Sequence, residues 1–297
     1  MNKQKLPLIS VIMPVYNAGE FLVDAMESIL NQTYKNFEFI IVDDASTDNS
    51  YEILKRYAKL DKRIKIYRSK RNLKQALTTN KAIDFAKGDF IARMDADDIS
   101  HPQRLEKQMQ YLLKHKKTVA VGGQCILVDR EGNAIGEKRF PTNFKDIYNY
   151  IYHFIPVQQP TLMIAKNRLP SDFTYYDHNM SPVEDVEFLF KLFKHGKVEN
   201  LSEYILFYRI HNANSSLVNL KKSFYLTLVS RIRALFLHGY KPTISGIIMT
   251  TIQTIIVLFF PQQVGLLLYG VVRQLKSSPL SFNLSSQKVF AKIELGI

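Results

Sequence analysis

The chain has 297 residues, of which 46% are hydrophobic, so it can bury a core and is not a disordered or low-complexity protein. Its formal net charge of +13 points to an anionic partner, and its single cysteine, Cys125, excludes an intramolecular disulfide framework. The first residues show no signal-peptide pattern, which predicts a cytoplasmic location.

Short apolar runs alternate with amphipathic helical repeats through the first hundred residues. The runs are almost wholly apolar, as is typical of buried parallel strands. The segments between them carry apolar residues at helical spacing. This alternation predicts an α/β fold, with a mostly parallel sheet flanked by helices. The predicted strands are 8–13, 37–42, 64–67 and 90–94.

The pattern becomes mixed after a helix predicted at about 101–116. Two apolar segments around an Asp-Arg-Glu-Gly-Asn turn predict a hairpin. A short strand, a polar loop, a helix that Gly196 ends and a final strand follow. The predicted elements are the hairpin 119–136, the strand 160–164, the helix 183–195 and the strand 205–209.

Three carboxylates, Asp95, Asp97 and Asp98, follow the fourth predicted strand within four positions. Carboxylates this close repel one another unless a cation lies among them. Ligands of open α/β sheets bind at the carboxyl ends of the strands, and strand residues two apart share a face, so Asp95 and Asp97 are candidates to bind one ion. The alternative is an acidic turn before a helix that Ser100 and Gln103 begin as a capping box.

Asn80 lies on the apolar stripe of the third predicted helix. A polar side chain there needs a hydrogen-bond partner, either in the core or in a nucleotide site. The chain has neither a G-x-G-x-x-G nor a G-x-x-x-x-G-K-[ST] motif, so dinucleotide-binding and P-loop functions lose their usual support.

Five motifs in order give the chain a resemblance to a known family. They are Val11-Ile-Met-Pro-Val-Tyr-Asn, Val42-Asp-Asp-Ala-Ser-Thr-Asp, Met94-Asp-Ala-Asp-Asp, Val183-Glu-Asp and Arg209-Ile-His. Together they resemble family 2 glycosyltransferases, which have the Rossmann-like GT-A fold. The resemblance covers residues 7 to about 216, so we expect a catalytic domain at 1–216 and a helical C-terminal region at 217–297.

The resemblance implies a nucleotide-sugar donor, a UDP-sugar by preference. Tyr16 and Asp44 match positions that hold the base, and Asp44 has an oxygen that accepts from a ring N–H. Arg71, or else Lys74, is expected near the base or the phosphates, while Asp48 is expected to cap a helix. The other donor-binding positions implied are Pro14, Asn17, Asn80, Asp95 and Ala96.

The resemblance also implies a divalent metal ion that neutralises the departing diphosphate. Asp97 would bind this ion, and Asp95 would contact the ion or the ribose. His211 matches a family position that adds a nitrogen ligand. Because imidazole suits Mn²⁺ better than Mg²⁺, manganese is the preferred ion.

The family's Glu-Asp pair corresponds to Glu184 and Asp185. Its second residue usually takes the proton of the acceptor hydroxyl, which makes Asp185 the expected base of an inverting displacement, with Glu184 in support. Both acids also suit the first turn of a helix. The family often has His before a Pro-Thr near the acceptor; this chain has Gln158-Gln159-Pro160-Thr161, so that position is left without a role.

Two other functions would leave different marks on the sequence. A nucleotidyltransferase that makes nucleotide sugars should have a Gly-rich basic loop after the first strand, whereas no Arg or Lys follows Pro14 until Lys35. A nucleic-acid-binding protein should interleave aromatic and basic residues on an exposed face. Here the basic residues near the C-terminus surround an uncharged apolar run, so we expect no nucleic acid as partner.

That run, residues 242–272, has no charged residue, and residues 216–297 contain nine Lys or Arg against one acid. A helix from Ile244 to Phe260 would be about 26 Å long, short of the roughly 30 Å core of a bilayer, and Pro261 interrupts it. We expect a helix pair on or in the inner leaflet rather than a true span, near a glycan or glycolipid acceptor. Alternatively, the stripe packs on the catalytic domain or a second subunit.

Overall fold

A computed structural model describes residues 6–211 and 220–259. Within these residues the chain forms a nine-stranded sheet with helices on both faces. The strands are β1 Ile9–Val15, β2 Phe37–Asp43, β3 Ile64–Arg68, β4 Phe90–Arg93, β5 Ile99–Ser100, β6 Thr118–Val128, β7 Ala134–Lys138, β8 Met163–Ala165 and β9 Lys197–Arg209. The helices are α1 Leu22–Leu30, α2 Ser50–Leu60, α3 Lys74–Asp84, α4 Arg104–Lys114, α5 Phe144–Tyr150, α6 Glu184–Phe193, α7 Leu220–Leu237 and α8 Ile244–Phe259.

The first half of the sheet has the predicted parallel arrangement. Its strands lie in the order β3-β2-β1-β4, and every pair among them is parallel. All seven residues of β2 are buried, because helices cover both faces of a parallel sheet. All four predicted strands of this half are confirmed within two residues of their predicted limits.

The second half of the sheet is mixed, so the prediction of a mostly parallel sheet is wrong for the whole molecule. β8 lies antiparallel between β4 and β6, and β6 pairs in parallel with β9. β7 and β5 add antiparallel partners to β6 and β9. The β6–β7 hairpin confirms the predicted one, whereas β9 begins eight residues earlier than predicted because it pairs along most of β6.

Two apolar cores lie on opposite faces of the sheet. Alternate residues of β1 enter them, since Val11 and Met13 belong to one core and Ile12 to the other. Helices α1, α2 and α4 cover the first face, and α3 and α6 cover the second. The helical spacing predicted for the segments between the strands is confirmed in α1, whose buried residues are Leu22, Ala25, Met26 and Ile29.

The pair α7 and α8 packs on the second face beside α6. Tyr240, between the two helices, belongs to that core and stacks on Tyr152, with ring centroids 4.9 Å apart. His238 Nε2 lies 3.1 Å from Glu187 Oε1 on α6. The described part of the C-terminal region therefore rests on the domain that precedes it. The expected boundary at 216 and residues 260–272 of the apolar run lie outside the described residues.

Candidate active site

The strand ends that carry the candidate site residues lie together at one edge of the sheet. β1, β2 and β4 are parallel, and β6 and β9 run in the same direction because β8 is antiparallel to both β4 and β6. Their carboxyl ends therefore meet at one edge, which is where open α/β sheets bind ligands. A cleft of about 700 Å³ opens there. Ten predicted site residues line it: Pro14, Tyr16, Asn17, Asp44, Asp95, Ala96, Asp97, Glu184, Asp185 and His211.

The loops after β1 and β2 are fastened to each other at the mouth of the cleft. Asn17 adopts a positive φ of 50°, and its side-chain oxygen accepts from the Thr47 backbone N–H at 2.8 Å. Its own N–H donates to Ser46 Oγ at 3.0 Å. Asp48 accepts from the N–H groups of Gly19 and Ser50 and so ties the two loops together, but the N-cap residue of α2 is Asn49, which makes no side-chain cap bond. Tyr16 is thereby held at the cleft with half of its side chain exposed.

Asp44 is buried and positions a third loop. Its carboxylate accepts from the backbone N–H groups of Leu73 and Lys74 at 2.8 and 2.9 Å. Lys74 has a positive φ of 71°, and its side chain lines the cleft. Arg71 is exposed and lies outside the cleft lining, so of the two basic residues considered for the donor, the structure places Lys74 at the site.

Asn80 is half-buried on α3 and is not part of the cleft lining. Its amide donates to the Tyr176 carbonyl at 2.8 Å, and its oxygen accepts from the Tyr176 N–H at 3.1 Å. Of the two alternatives for this residue, the structure supports a hydrogen-bond partner within the fold. That Asn80 binds the donor stays a prediction, which these contacts do not support.

The three carboxylates after β4 converge through a turn. β4 ends at Arg93, before any of them, so strand periodicity is not the reason that they approach. One oxygen from each of Asp95, Asp97 and Asp98 lies within 4.8 Å of the others. Burial and the charges of the other two acids raise the pKa of Asp98 well above its usual range. The capping-box alternative is wrong, because α4 begins at Arg104 with no side-chain cap and Ser100 belongs to β5.

His211 meets this cluster from the end of β9. Its Nε2 lies 3.0 Å from Asp97 Oδ2, although the two residues are 114 positions apart in the chain. Its ring also packs against Phe21, with centroids 4.9 Å apart. The structure thus brings the predicted metal-ligand set of Asp95, Asp97 and His211 to one place.

Arg209 is a site residue that the sequence analysis missed. Its backbone N–H donates to Asp98 Oδ1 at 2.9 Å, and its Nε donates to the Asp97 carbonyl at 3.0 Å. The buried guanidinium also donates to Asp24 at 2.9 Å. Arg209 fastens the acidic turn to β9 and so sets the position of His211. Its place in the Arg209-Ile-His motif is the sequence feature that could have identified it as a site residue.

Arg93 is a second residue that the sequence analysis missed. It is 1% exposed, and its guanidinium donates to Asp95 Oδ1 at 2.8 Å. Burial acts to lower its pKa, but the charge of Asp95 and the groups of Tyr176 and Glu184 outweigh burial and raise it. Arg93 therefore places a permanent positive charge between the acidic turn and the start of α6. The sequence feature that could have identified Arg93 is a basic residue at the end of an apolar strand.

The start of α6 presents two acids to the cleft. Burial and, second, the charge of the neighbouring Glu184 together raise the pKa of Asp185 to about 7, against the N–H of Val186, which donates to Asp185 at 2.9 Å. Glu184 is buried, and its Oε2 has no hydrogen-bond partner among the described residues. A carboxylate with a pKa near neutral pH is suited to take up a proton during a reaction.

The segment that begins at Gln158, to which the sequence analysis gave no role, also lies in the cleft. Gln158, Gln159 and Pro160 belong to its lining because β8, which follows them, starts at this edge of the sheet. Lys138 donates to Gln158 Oε1 at 2.6 Å, and the amide nitrogen of Gln159 is buried with no partner in the described chain. This side of the cleft is thus polar and carries the positive charge of Lys138.

The acidic turn fits a hard divalent cation. It offers oxygen atoms from three acids, and Oδ2 of the buried Asp98 has no hydrogen-bond partner among the described residues. His211 adds a nitrogen beside Asp97. Carboxylate oxygens with one imidazole are a donor set suited to Mn²⁺, and oxygens alone are suited to Mg²⁺.

The chain matches a family model and several curated proteins. The model described as Glycosyl transferase family 2 matches residues 10–169. A protein of Methanocaldococcus jannaschii, described as an uncharacterized glycosyltransferase, is 36% identical over 220 residues, which are 73% of this chain and 75% of that protein. The O-antigen biosynthesis glycosyltransferase WbnJ of Escherichia coli is 35% identical over 225 residues, 72% of this chain and 84% of that one.

Solved structures share the fold at low identity. Residues 1–349 of S. aureus TarS, in complex with UDP-GlcNAc, superpose with a TM-score of 0.65 at 17% identity, covering 96% of this chain and 79% of that one. The mannosyltransferase PcManGT of Pyrobaculum calidifontis, in complex with GDP-Man and Mn²⁺, gives a TM-score of 0.55 at 15% identity, covering 91% and 88%. Both likenesses concern the fold.

Proposed function

We propose that this chain, which belongs to glycosyl transferase family 2, is an inverting enzyme that moves a sugar from a UDP-sugar to an acceptor hydroxyl in the presence of Mn²⁺ or Mg²⁺. The acceptor we propose is a lipid-linked or growing surface glycan, and the place of work is the cytoplasmic face of the membrane. The alternative functions, a nucleotidyltransferase or a nucleic-acid-binding protein, have no comparable support. The family model and the curated relatives that match most of the expected catalytic domain are glycosyltransferases.

The donor would lie at the carboxyl ends of β1, β2 and β4. Tyr16 offers a half-exposed ring for stacking on the base, and Lys74 offers an ammonium at the same cleft. Both oxygens of Asp44 already accept backbone N–H groups, so we assign it to the shape of the base pocket, with a remaining lone pair for a ring N–H. A TarS structure in complex with UDP-GlcNAc supports the choice of a UDP-sugar.

Asp95, Asp97 and His211 would hold the metal ion. When bound, the ion supplies positive charge that neutralises the diphosphate leaving group. Arg93 orients Asp95 through its bond at 2.8 Å and opposes the rise in the pKa of Asp95 that burial causes, and Arg209 holds the turn that carries Asp97. The PcManGT complex with GDP-Man and Mn²⁺ supports manganese.

Asp185 would act on the acceptor. It removes the proton of the acceptor hydroxyl as that oxygen forms its bond to the anomeric carbon and the bond from this carbon to the diphosphate breaks. The single displacement inverts the anomeric centre, and the nucleoside diphosphate leaves. Glu184 raises the affinity of Asp185 for the proton and, being next to Arg93, links the base to the donor side.

The observation that carries this proposal is that Asp185 and the set of Asp95, Asp97 and His211 line one cleft. The relatives support the acceptor class, because one similar protein acts in O-antigen biosynthesis and another is described as a teichuronic acid biosynthesis glycosyltransferase. The test is to mix the protein with Mn²⁺, a panel of nucleotide sugars and lipid-linked acceptors. Acceptor-dependent release of a nucleoside diphosphate is expected, whereas release of pyrophosphate from a sugar phosphate and a nucleoside triphosphate would show a nucleotidyltransferase.

The pKa of Asp185 sets an expected pH dependence. Because burial raises it to about 7, the carboxyl is protonated and inactive as a base at acid pH, and kcat/KM should rise as the pH passes through about 7. The rising limb is measured with the donor saturating and the acceptor varied. A rate that stays flat from pH about 6 to about 8 would contradict the assignment of Asp185 as the base.

A further inference from the structure

Helix α8 packs on the domain with the side that carries Gly246, Met249, Gln253 and Ile256. Gln253 donates to the His153 carbonyl at 2.9 Å and accepts from Arg231 of α7 at 2.8 Å. Thr250 Oγ1 accepts from the same guanidinium at 3.1 Å. At Gly246, an added Cβ would lie 2.9 Å from the Tyr152 side chain, so the helix lies close against the domain. The buried side of α8 therefore mixes polar and apolar residues, and Gln253 makes its hydrogen bonds there.

The apolar side of α8 faces solvent. Seven large apolar residues along it are each between 39% and 79% exposed. They recur at helical spacing and form one continuous stripe, which is the reverse of the amphipathic pattern of a helix on a soluble protein. The seven residues are Ile244, Ile247, Ile248, Ile252, Ile255, Leu258 and Phe259.

Helix α7, which contacts α8, also exposes large apolar residues. Its exposed apolar residues are Tyr225, Ile232, Leu235, Phe236 and Leu237. Together with the seven residues of α8 they make up what we name the α7–α8 face. Residues 220–259 contain no Asp or Glu but five Lys or Arg, of which Lys221, Lys222 and Lys241 are exposed. The α7–α8 face is thus apolar, with positive charge in α7 and in the connection between the two helices.

We propose that the α7–α8 face docks on an anionic lipid surface, with both helices lying in the plane of the headgroups. None of the described helices is long and apolar enough to cross a membrane, and at 16 residues α8 is about 24 Å long against a hydrocarbon core of roughly 30 Å. Helices that combine an exposed apolar face with Lys and Arg bind the interface of anionic bilayers. A second copy of the chain fits less well, because a symmetric contact would set two groups of cations against each other.

Docking would also bring the cleft to the lipid. Gln253 of α8 is bonded to the carbonyl of His153, and the next two residues, Phe154 and Ile155, line the cleft. Ile155 is itself exposed at that place. A hydroxyl on a lipid-linked glycan would reach the cleft from the docked side. This last step rests on the proposed glycosyl transfer, whereas the docking itself does not.

Vesicle flotation with the full chain tests the docking. The protein is expected to float with vesicles of phosphatidylcholine and phosphatidylglycerol, less with phosphatidylcholine alone, and less as salt rises. The Ile248→Glu/Ile255→Glu double variant should lose at least roughly tenfold in vesicle partitioning, because it places two charges in the apolar stripe. Lys221→Gln/Lys241→Gln should lose the preference for the anionic vesicles.

The matched control is Leu60→Glu/Leu113→Glu, which changes two exposed leucines of α2 and α4 in the same way and should float like the unmodified protein. Calorimetry of UDP binding reports folding and donor-site integrity, and it should give the same affinity for all variants. The proposal is overturned if the Ile248→Glu/Ile255→Glu variant floats normally. It is also overturned if the protein without lipid is a dimer that this variant dissociates. A protein that floats but releases no UDP would contradict the proposed activity and leave the docking intact.

Discussion

Asp185→Asn is expected to lower turnover by roughly 10²- to 10⁴-fold, the usual contribution of a general base, and to leave donor affinity unchanged. The substitution keeps the size of the side chain and the bond from the Val186 N–H, but it removes the group that takes the acceptor proton. The pH limb near 7 should disappear with it, because that limb reports the Asp185 carboxyl. Single-turnover rates with saturating donor, together with calorimetry of UDP binding, measure both effects.

Glu184→Gln is the matched control, since it removes the neighbouring charge and keeps Asp185. Its expected effect is smaller, and the pH limb should move to lower pH, because Glu184 contributes to raising the pKa of Asp185. If Asp185→Asn turned over at the normal rate, the assignment of the base would be wrong. If the large loss appeared only in Glu184→Gln, the base would be Glu184.

Asp97→Ala is expected to abolish the metal-dependent part of nucleotide binding. Asp97 lies between Asp95 and His211, so its removal takes away a ligand and leaves the His211 Nε2 without its carboxylate partner. The loss in UDP affinity with Mn²⁺ should exceed the roughly 10- to 100-fold that changes outside the ligand set cost. Calorimetry of UDP with and without Mn²⁺ measures it, and a thermal melt checks the fold.

Asp89→Ala serves as the matched control, because Asp89 is an exposed acid just before β4, at the opposite end of this strand from the acidic turn. It removes the same charge from the chain and should bind UDP and Mn²⁺ normally. Unchanged binding by Asp97→Ala would show that the ion is held elsewhere. Equal losses in the two variants would show a general electrostatic effect of net charge instead of a metal site.

Much of the cleft followed from the order of the elements. Tyr16, Asp44 and Asp97 each stand just past a predicted strand, and the carboxyl ends of parallel strands meet at one edge. This geometry is sufficient to predict that they lie together. The family motifs extended the prediction to Asp185 and His211, which are distant in sequence and whose approach no local pattern indicates.

Other parts of the site depended on contacts between distant segments. The buried arginines Arg93 and Arg209 were missed because a guanidinium in an apolar strand shows its role only when its partners are known. Asn80 was assigned to the donor, yet its partner is the backbone of Tyr176, which lies 96 positions further along the chain. Sequence spacing shows that a polar group needs a partner, but it does not identify that partner.

The sequence by itself determined the alternation of strands and helices, the edge at which the acids gather and the apolar stripe of α8. These depend on local periodicity and on the rule that parallel strands share a direction. Only the tertiary structure decided that the second half of the sheet is mixed and that the side of α8 that carries Gln253 meets the domain. The physical reason is that periodicity records which residues share a face, whereas the surface that covers the face is chosen by hydrogen bonds and packing between segments far apart in the chain.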